Sequence, residues 1–136
     1  MSTERIELEP QPASVGAARR FVRAALRASA LAAVSEDAEL MVSELVTNAV
    51  LHARTGVTVT VSSRRRGRDL VLHVGVRDTS ARSLRAPKYS QLASTGRGLK
   101  IVRELAADSG VRLEGGGKTV WFELVAPDGA AGRGKA

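Results

Sequence analysis

The stretch most restrictive of fold is residues 57–78, "VTVTVSSRRRGRDLVLHVGVRD". Apolar and polar residues alternate on both sides of a charged break at Gly67, and period two places successive side chains on opposite faces of a strand. The segment therefore reads as a hairpin. "VTVTVSS" (57–63) runs out, "RRRGRD" turns, and "LVLHVGVRD" (70–78) returns with Leu70, Leu72, Val74 and Val76 on one side. A second hairpin follows near the C-terminus from "VRLE", "GGGK" and "TVWFELVA", and a short alternating strand, "ERIELE" (4–9), precedes the first helix.

Between these strands the period changes. Residues 14–30 read as a helix opened by Ser14, with Phe21, Val22, Ala25 and Leu26 inward and Arg20, Arg23 and Arg27 on a polar side. A second helix is expected from about 36 to 53, capped by Ser35. Glu36 and Asp37 suit its positive dipole end, and Ala38, Met41, Val42, Leu45, Ala49 and Ala53 form its stripe. Residues 79–95 lack periodicity and read as a loop. A third helix is expected over 96–110, with Leu99, Ile101, Val102, Leu105 and Ala106 as its core face and Gly110 as its end. The order β-α-α-β-β-loop-α-β-β groups the helices instead of alternating them singly with strands. It predicts an α+β, two-layer sandwich: a mixed, mostly antiparallel sheet covered on one face by helices.

At 136 residues the chain suits one domain, placed at 1–126, with a disordered tail from 127 to 136 rich in small and polar residues. The absence of cysteine excludes disulfides and thiolate metal sites and fits a reducing, cytoplasmic setting. No apolar run approaches the ~20 residues of a membrane span, and the charged N-terminus lacks a signal-like apolar core. The net charge is +7, with arginine clustered at several places. Such clusters attract phosphate-bearing ligands, nucleic acid or acidic proteins, or simply solvate the surface. With only 3% aromatic residues, a base-stacking platform for single strands is disfavoured.

Two polar residues interrupt the apolar run "SELVTNAVLHA" (43–53). Glu44 and Asn48 lie four apart, so they point the same way from a helix whose packing stripe does not need them. A carboxylate can accept a proton, and an amide oxygen can ligate Mg²⁺, which takes few protein ligands. A plain solvent-facing helix surface is the alternative. In "STGRGLKIV", Gly96 and Gly98 permit close backbone approach at a helix N-terminus, an anion-binding end. The alternative is a loop-to-helix junction. A dinucleotide fingerprint is excluded, because Ile101 stands where the third glycine would be. Asp78 ends an apolar strand, where it could receive an exocyclic amine or cap its own turn. "GGGKT" (115–119) is not a P-loop: Arg112 replaces the required glycine and a strand follows, leaving Thr119 free to face a ligand. His52 and His73 have no metal-ligand spacing and read as structural.

Taken in order, these segments resemble the Bergerat-fold ATPases of the GHKL superfamily, nearest the anti-sigma-factor serine kinases in their actinobacterial form. The likeness covers roughly residues 14–125. "SELVTNAVLHA" resembles the N box, "VGVRD" the strand ending in the adenine-binding aspartate, "TGRGLKIV" the second glycine box and "GKTVWFEL" the closing hairpin. The resemblance implies ATP and Mg²⁺ as cofactors. Glu44 would be the general base and Asn48 the Mg²⁺ ligand. Asp78 would bind the adenine amine, and Thr119 would help hold that end. Gly96, Arg97, Gly98 and Leu99 would wrap the phosphates, and residues 82–95 would form the lid. One departure stands out: the superfamily's Asp-x-Gly-x-Gly is here Asp78-Thr79-Ser80-Ala81-Arg82, with Ser80 at the first glycine position and counted among the nucleotide contacts.

By this resemblance the chain is an ATP-dependent serine/threonine protein kinase acting on an anti-sigma antagonist, with a sigma factor as second partner and a homodimer allowed. The altered box motivates a second reading, a non-catalytic nucleotide-dependent switch that sequesters a regulator. Net charge motivates a third, a nucleic-acid binder, but no recognition motif of that class is present, and neither direct nucleic-acid nor membrane contact is expected. The Arg20, Arg23 and Arg27 stripe is a candidate surface for an acidic protein or a solvated helix face.

Overall fold

The first hairpin forms as its alternation requires and reaches further than its apolar residues. In the computed structural model, which describes residues 3–53, 55–78 and 98–127, β2 (Val57–Arg66) and β3 (Asp69–Asp78) pair antiparallel from Val57↔Asp78 to Arg66↔Asp69. Gly67 takes φ 62° at the two-residue turn, a left-handed value that the mirror-image turns of tight hairpins need. β1 (Thr3–Leu8) pairs with β2. On the other side, β5 (Gly117–Pro127) pairs with β3, and β4 (Asp108–Glu114) closes the edge. The sheet order is β1-β2-β3-β5-β4, and all four described pairings are antiparallel. Gly115 and Gly116, with φ 36° and 86°, form the β4–β5 turn.

Three helices cover one face of this sheet. α1 (Ala13–Leu26) packs beside α2 (Ser35–Asn48), and α3 (Gly98–Leu105) packs on α2. α1 lies over β1 and β2, α2 over β3, and α3 meets β4. Val57, Val59 and Val61, then Leu72, Val74 and Val76, then Val120, Phe122, Leu124 and Ala126 point into this layer at period two. Val22, Leu26, Met41, Val42, Leu45, Val46 and Val102 meet them from the helices, giving one continuous apolar core. Its burial is the main force holding the two layers together.

The elements differ from sequence expectation at their ends. α1 stops at Leu26, short of the expected residue 30, because Ser29 accepts from the Leu31 N–H at 3.0 Å and starts a 3₁₀ turn, Ala30–Val34. Ser14 lies inside the first turn, not at the cap, and its hydroxyl donates to the Glu9 carbonyl at 2.5 Å, tying strand to helix. α2 is regular only to Asn48; Ala49–Ala53 continues as a π-helical turn. α3 ends at Leu105, with Leu105 itself 37% exposed. Gly110 does not terminate a helix: it sits in β4 opposite Trp121. β5 includes Pro127, paired with Asp69, and residues 128–136 lie outside the described residues.

Candidate functional site

The two flanks of α2 face different neighbours. On one flank, Glu39 accepts from Arg23 of α1 at 2.7 and 3.2 Å and from the Ser35 hydroxyl at 2.8 Å. The Arg23 guanidinium, with help from Ser35, holds the Glu39 carboxyl below its ordinary range. Glu44 and Asn48 follow Glu39 by five and nine residues. At ~100° per residue they are turned away from it by about 140° and about 180°. They therefore sit on the flank away from α1. α3 packs on α2, and since it leads into β4 at the far edge of the sheet, it lies on their side. Both residues are half-buried, and neither side chain is engaged in a hydrogen bond among the described residues.

The same helix brings this pair to one end of the sheet. α2 passes through its π turn and Gly56 directly into Val57, and Val57 is the register partner of Asp78. Asp78 is the last residue of β3 and only 3% exposed. It shares the helix-covered face with Val74 and Val76, because all three are even-numbered on one strand. A π turn directly after Asn48 widens the helix end just where the polar pair is presented; such turns are frequent at functional sites.

The register separates Thr119 from this group. Directly across from Asp78 on β5 stands Lys118; Thr119 is opposite Arg77, on the open face. The Thr119 hydroxyl donates to Glu114 at 3.2 Å, and Glu114 also accepts from Arg77 at 3.1 Å. Thr119 thus belongs to an open-face polar network. Lys118, 8% exposed, holds the helix-side position opposite Asp78. Burial pulls its ammonium below the ordinary lysine range, and the Asp78 charge partly offsets this. A signal was present in the sequence: Val120, Phe122 and Leu124 face the core, and stepping back by two gives residue 118.

The remaining expected residues divide by position. Gly98 is the first residue of α3 and Leu99 the second. Ser80, Gly96, Arg97 and the lid segment 82–95 lie outside the described residues. "GGGKT" forms a hairpin and not a phosphate loop. His73 Nδ1 lies 2.9 Å from Glu123, and its ring stacks on Trp121 at 5.3 Å between centroids. Among the described residues no group of three or more His, Cys, Asp or Glu could hold a metal.

The open face carries a hollow of about 300 Å³ lined by Arg5, Thr60, His73, Gly75, Arg77 and Thr119, among others. Its arginines are already paired with carboxylates, Arg5 with Glu7 and Arg77 with Glu114. On the helix side stand a carboxylate and an amide on the α2 flank, Asp78 opposite Lys118 at the end of β3, and the helix α3, which begins at Gly98. No curated protein matches the chain. The family model for the histidine kinase-like ATPase domain matches residues 8–124, from the end of β1 through Leu124 of β5, and the chain belongs to that family.

Proposed function

We propose that the chain is an ATP-dependent serine/threonine protein kinase that also acts as an anti-sigma regulator, with its chemistry at the α2–α3 side of the sheet. Membership of an ATPase-domain family implies ATP binding and supports an ATP-dependent kinase or ATPase activity. The protein substrate and the sigma factor come from the resemblance of the N box and second glycine box. The observation that carries the proposal is the orientation of Glu44 and Asn48, away from α1 and toward the glycine-led α3, above the end of β3 that holds Asp78.

Each residue has a definable task. Asp78 accepts a hydrogen bond from the adenine exocyclic amine, in a buried setting where that bond orients the base. The first turn of α3, from Gly98, offers unpaired N–H groups and a positive dipole end to phosphate oxygens. Asn48 offers one amide oxygen to Mg²⁺, an ion that takes few protein ligands and completes its shell with water and phosphate oxygens. Bound there, Mg²⁺ would neutralise charge on the triphosphate. Glu44 accepts the proton of the attacking hydroxyl. As the oxygen–phosphorus bond forms, the bond from the γ-phosphorus to its bridging oxygen breaks, and ADP leaves with that electron pair. Positioning and charge neutralisation supply most of the acceleration in such reactions.

Glu44→Ala is expected to lower phosphate transfer by roughly 10²–10⁴-fold while ATP still binds. Transfer at the wild-type rate in that variant would remove Glu44 from the mechanism. The second reading, a switch without transfer, is favoured by one feature: the segment Asp78-Thr79-Ser80-Ala81-Arg82 lacks both glycines of the superfamily's first box. Incubation with γ-labelled ATP and the antagonist protein separates the two readings. Label on the antagonist supports the kinase; nucleotide binding without label supports the switch.

A further inference from the structure

The open face of the sheet carries a feature that the chemistry above leaves unused. Two rows of register partners cross it, Arg5–Thr60–Gly75–Trp121 and Glu7–Thr58–Arg77–Thr119–Arg112. Val59, Val76 and Val120 take alternate positions and face the helices, so both rows point to the uncovered side. Gly75 stands on the middle strand without a side chain, and the hollow of about 300 Å³ lies there. That volume reaches the range of small-molecule sites. Three guanidinium groups, those of Arg5, Arg77 and Arg112, line it against one carboxylate, Glu114. Thr58 and Thr60 also line it. Both are half-buried, and neither hydroxyl has a partner among the described residues.

Glu114 shows what this cradle holds. Its Oε1 accepts from Arg77 Nη1 at 3.1 Å and from the Thr119 hydroxyl at 3.2 Å, and its Oε2 lies 3.6 Å from Arg112 Nε. Donors from β3, β5 and β4 thus converge on one anion. The Glu114 side chain is 44% exposed, so a change of rotamer vacates the place. We propose that the open-face hollow is a second ligand site that takes a small phosphomonoester, whose phosphate replaces the Glu114 carboxylate on Arg77, Thr119 and Arg112. A phosphate carries about −1.5 to −2 charge and three strong acceptor oxygens, more of both than a carboxylate. A guanidinium presents its donors in a planar fork that matches phosphate, and Arg112 spends none of them within hydrogen-bond distance among the described residues. Arg5 adds charge at the rim, since its pair with Glu7 is solvent-exposed and therefore weak. Thr58 and Thr60 offer hydroxyls to the alcohol part of the ester. The site is on the opposite side of the sheet from Asp78 and does not depend on the ATP reading.

The test is calorimetric titration of the full chain with glycerol phosphate at fixed ionic strength, for the wild type, Arg112→Gln, Glu114→Gln and a control, Glu4→Gln. Glu4 is exposed on β1 opposite Val61, on the helix side, so it repeats the charge change away from the hollow. Arg112→Gln should weaken binding about tenfold, the loss of one charge-assisted contact. Glu114→Gln removes the competing anion and should tighten binding several-fold, while Glu4→Gln should leave it unchanged. Trp121 emission should shift during the titration, because its ring stacks on His73, which lines the hollow. All variants should keep the wild-type ATP affinity, which separates this site from the start of α3. No binding by either the wild type or Glu114→Gln overturns the proposal. So does binding that Arg112→Gln and Glu114→Gln leave unchanged, tightening that Glu4→Gln reproduces in full, or a parallel loss of ATP affinity in Arg112→Gln.

Discussion

Gly110→Ala tests the register that builds the C-terminal half of the sheet. Gly110 lies in β4 directly opposite Trp121 of β5, and a Cβ added there would stand 2.8 Å from Cζ2 and 3.0 Å from both Cε2 and Nε1 of the indole. Carbon atoms prefer separations of about 3.5–4.0 Å, so the ring must move. It is not free to do so, because it stacks on His73, which Glu123 holds at 2.9 Å. Overpacking of this kind costs about 1–3 kcal/mol. Removing a glycine also restricts the unfolded chain and returns about 0.4–1 kcal/mol. The net is a loss of roughly 1–2 kcal/mol, or about 3–10 °C in Tm for a domain of this size. Trp121 is the single tryptophan of the chain, so its emission reports the displacement directly. A thermal melt and an emission spectrum of Gly110→Ala are sufficient. Unchanged emission together with a Tm equal to or above that of the wild type would show that Gly110 is not under the indole and that the β4–β5 register is wrong.

Other consequences follow from the same geometry. Asp78→Ala should abolish measurable ATP binding, whereas Thr119→Val, which alters only the open face, should leave the ATP affinity within about twofold; dye-labelled ATP titrations compare them. Phe122→Ala empties the largest fully buried position of the core and should cost about 3–5 kcal/mol, read from urea midpoints. The Arg64 guanidinium, with His73 beside it, holds the Glu123 carboxyl below its ordinary value of 4.5. A depressed folded-state value contributes stability above the unfolded carboxylate value, lost as pH falls through the folded one. Urea midpoints should therefore drop below about pH 4.5, and Glu123→Gln should flatten that part of the profile.

The hairpins were legible in the sequence because period-two alternation is a local signal and the glycines mark their turns. The helices were legible as faces but not as lengths. α1 ends where a serine hydroxyl three residues beyond Leu26 competes for backbone N–H groups, and α2 changes to a π turn at Ala49; neither leaves a mark on the apolar period. Gly110 was read as a stop because a glycine after a helical run is ambiguous, and only the partner strand shows it lying beneath an indole. Within the candidate site, the direction of Glu44 and Asn48 could be read from their spacing, since four residues nearly complete a turn and the packing stripe lies elsewhere. Which neighbour that flank faces could not, because the side-by-side order of α1, α2 and α3 is a tertiary fact. Thr119 was assigned by likeness to a motif. The strand's own alternation, counted from Val120 and Phe122, puts Lys118 on the helix-covered face, opposite Asp78.

The central claim is a cleft in which Asn48 and Asp78 hold opposite ends of one nucleotide. Calorimetry with ATP, with and without MgCl₂, on the wild type and Asn48→Ala tests it most directly. Mg²⁺ should strengthen ATP binding to the wild type, and Asn48→Ala should still bind ATP but lose most of the gain from Mg²⁺. An equal Mg²⁺ response in both proteins, or no ATP binding by the wild type, would contradict it.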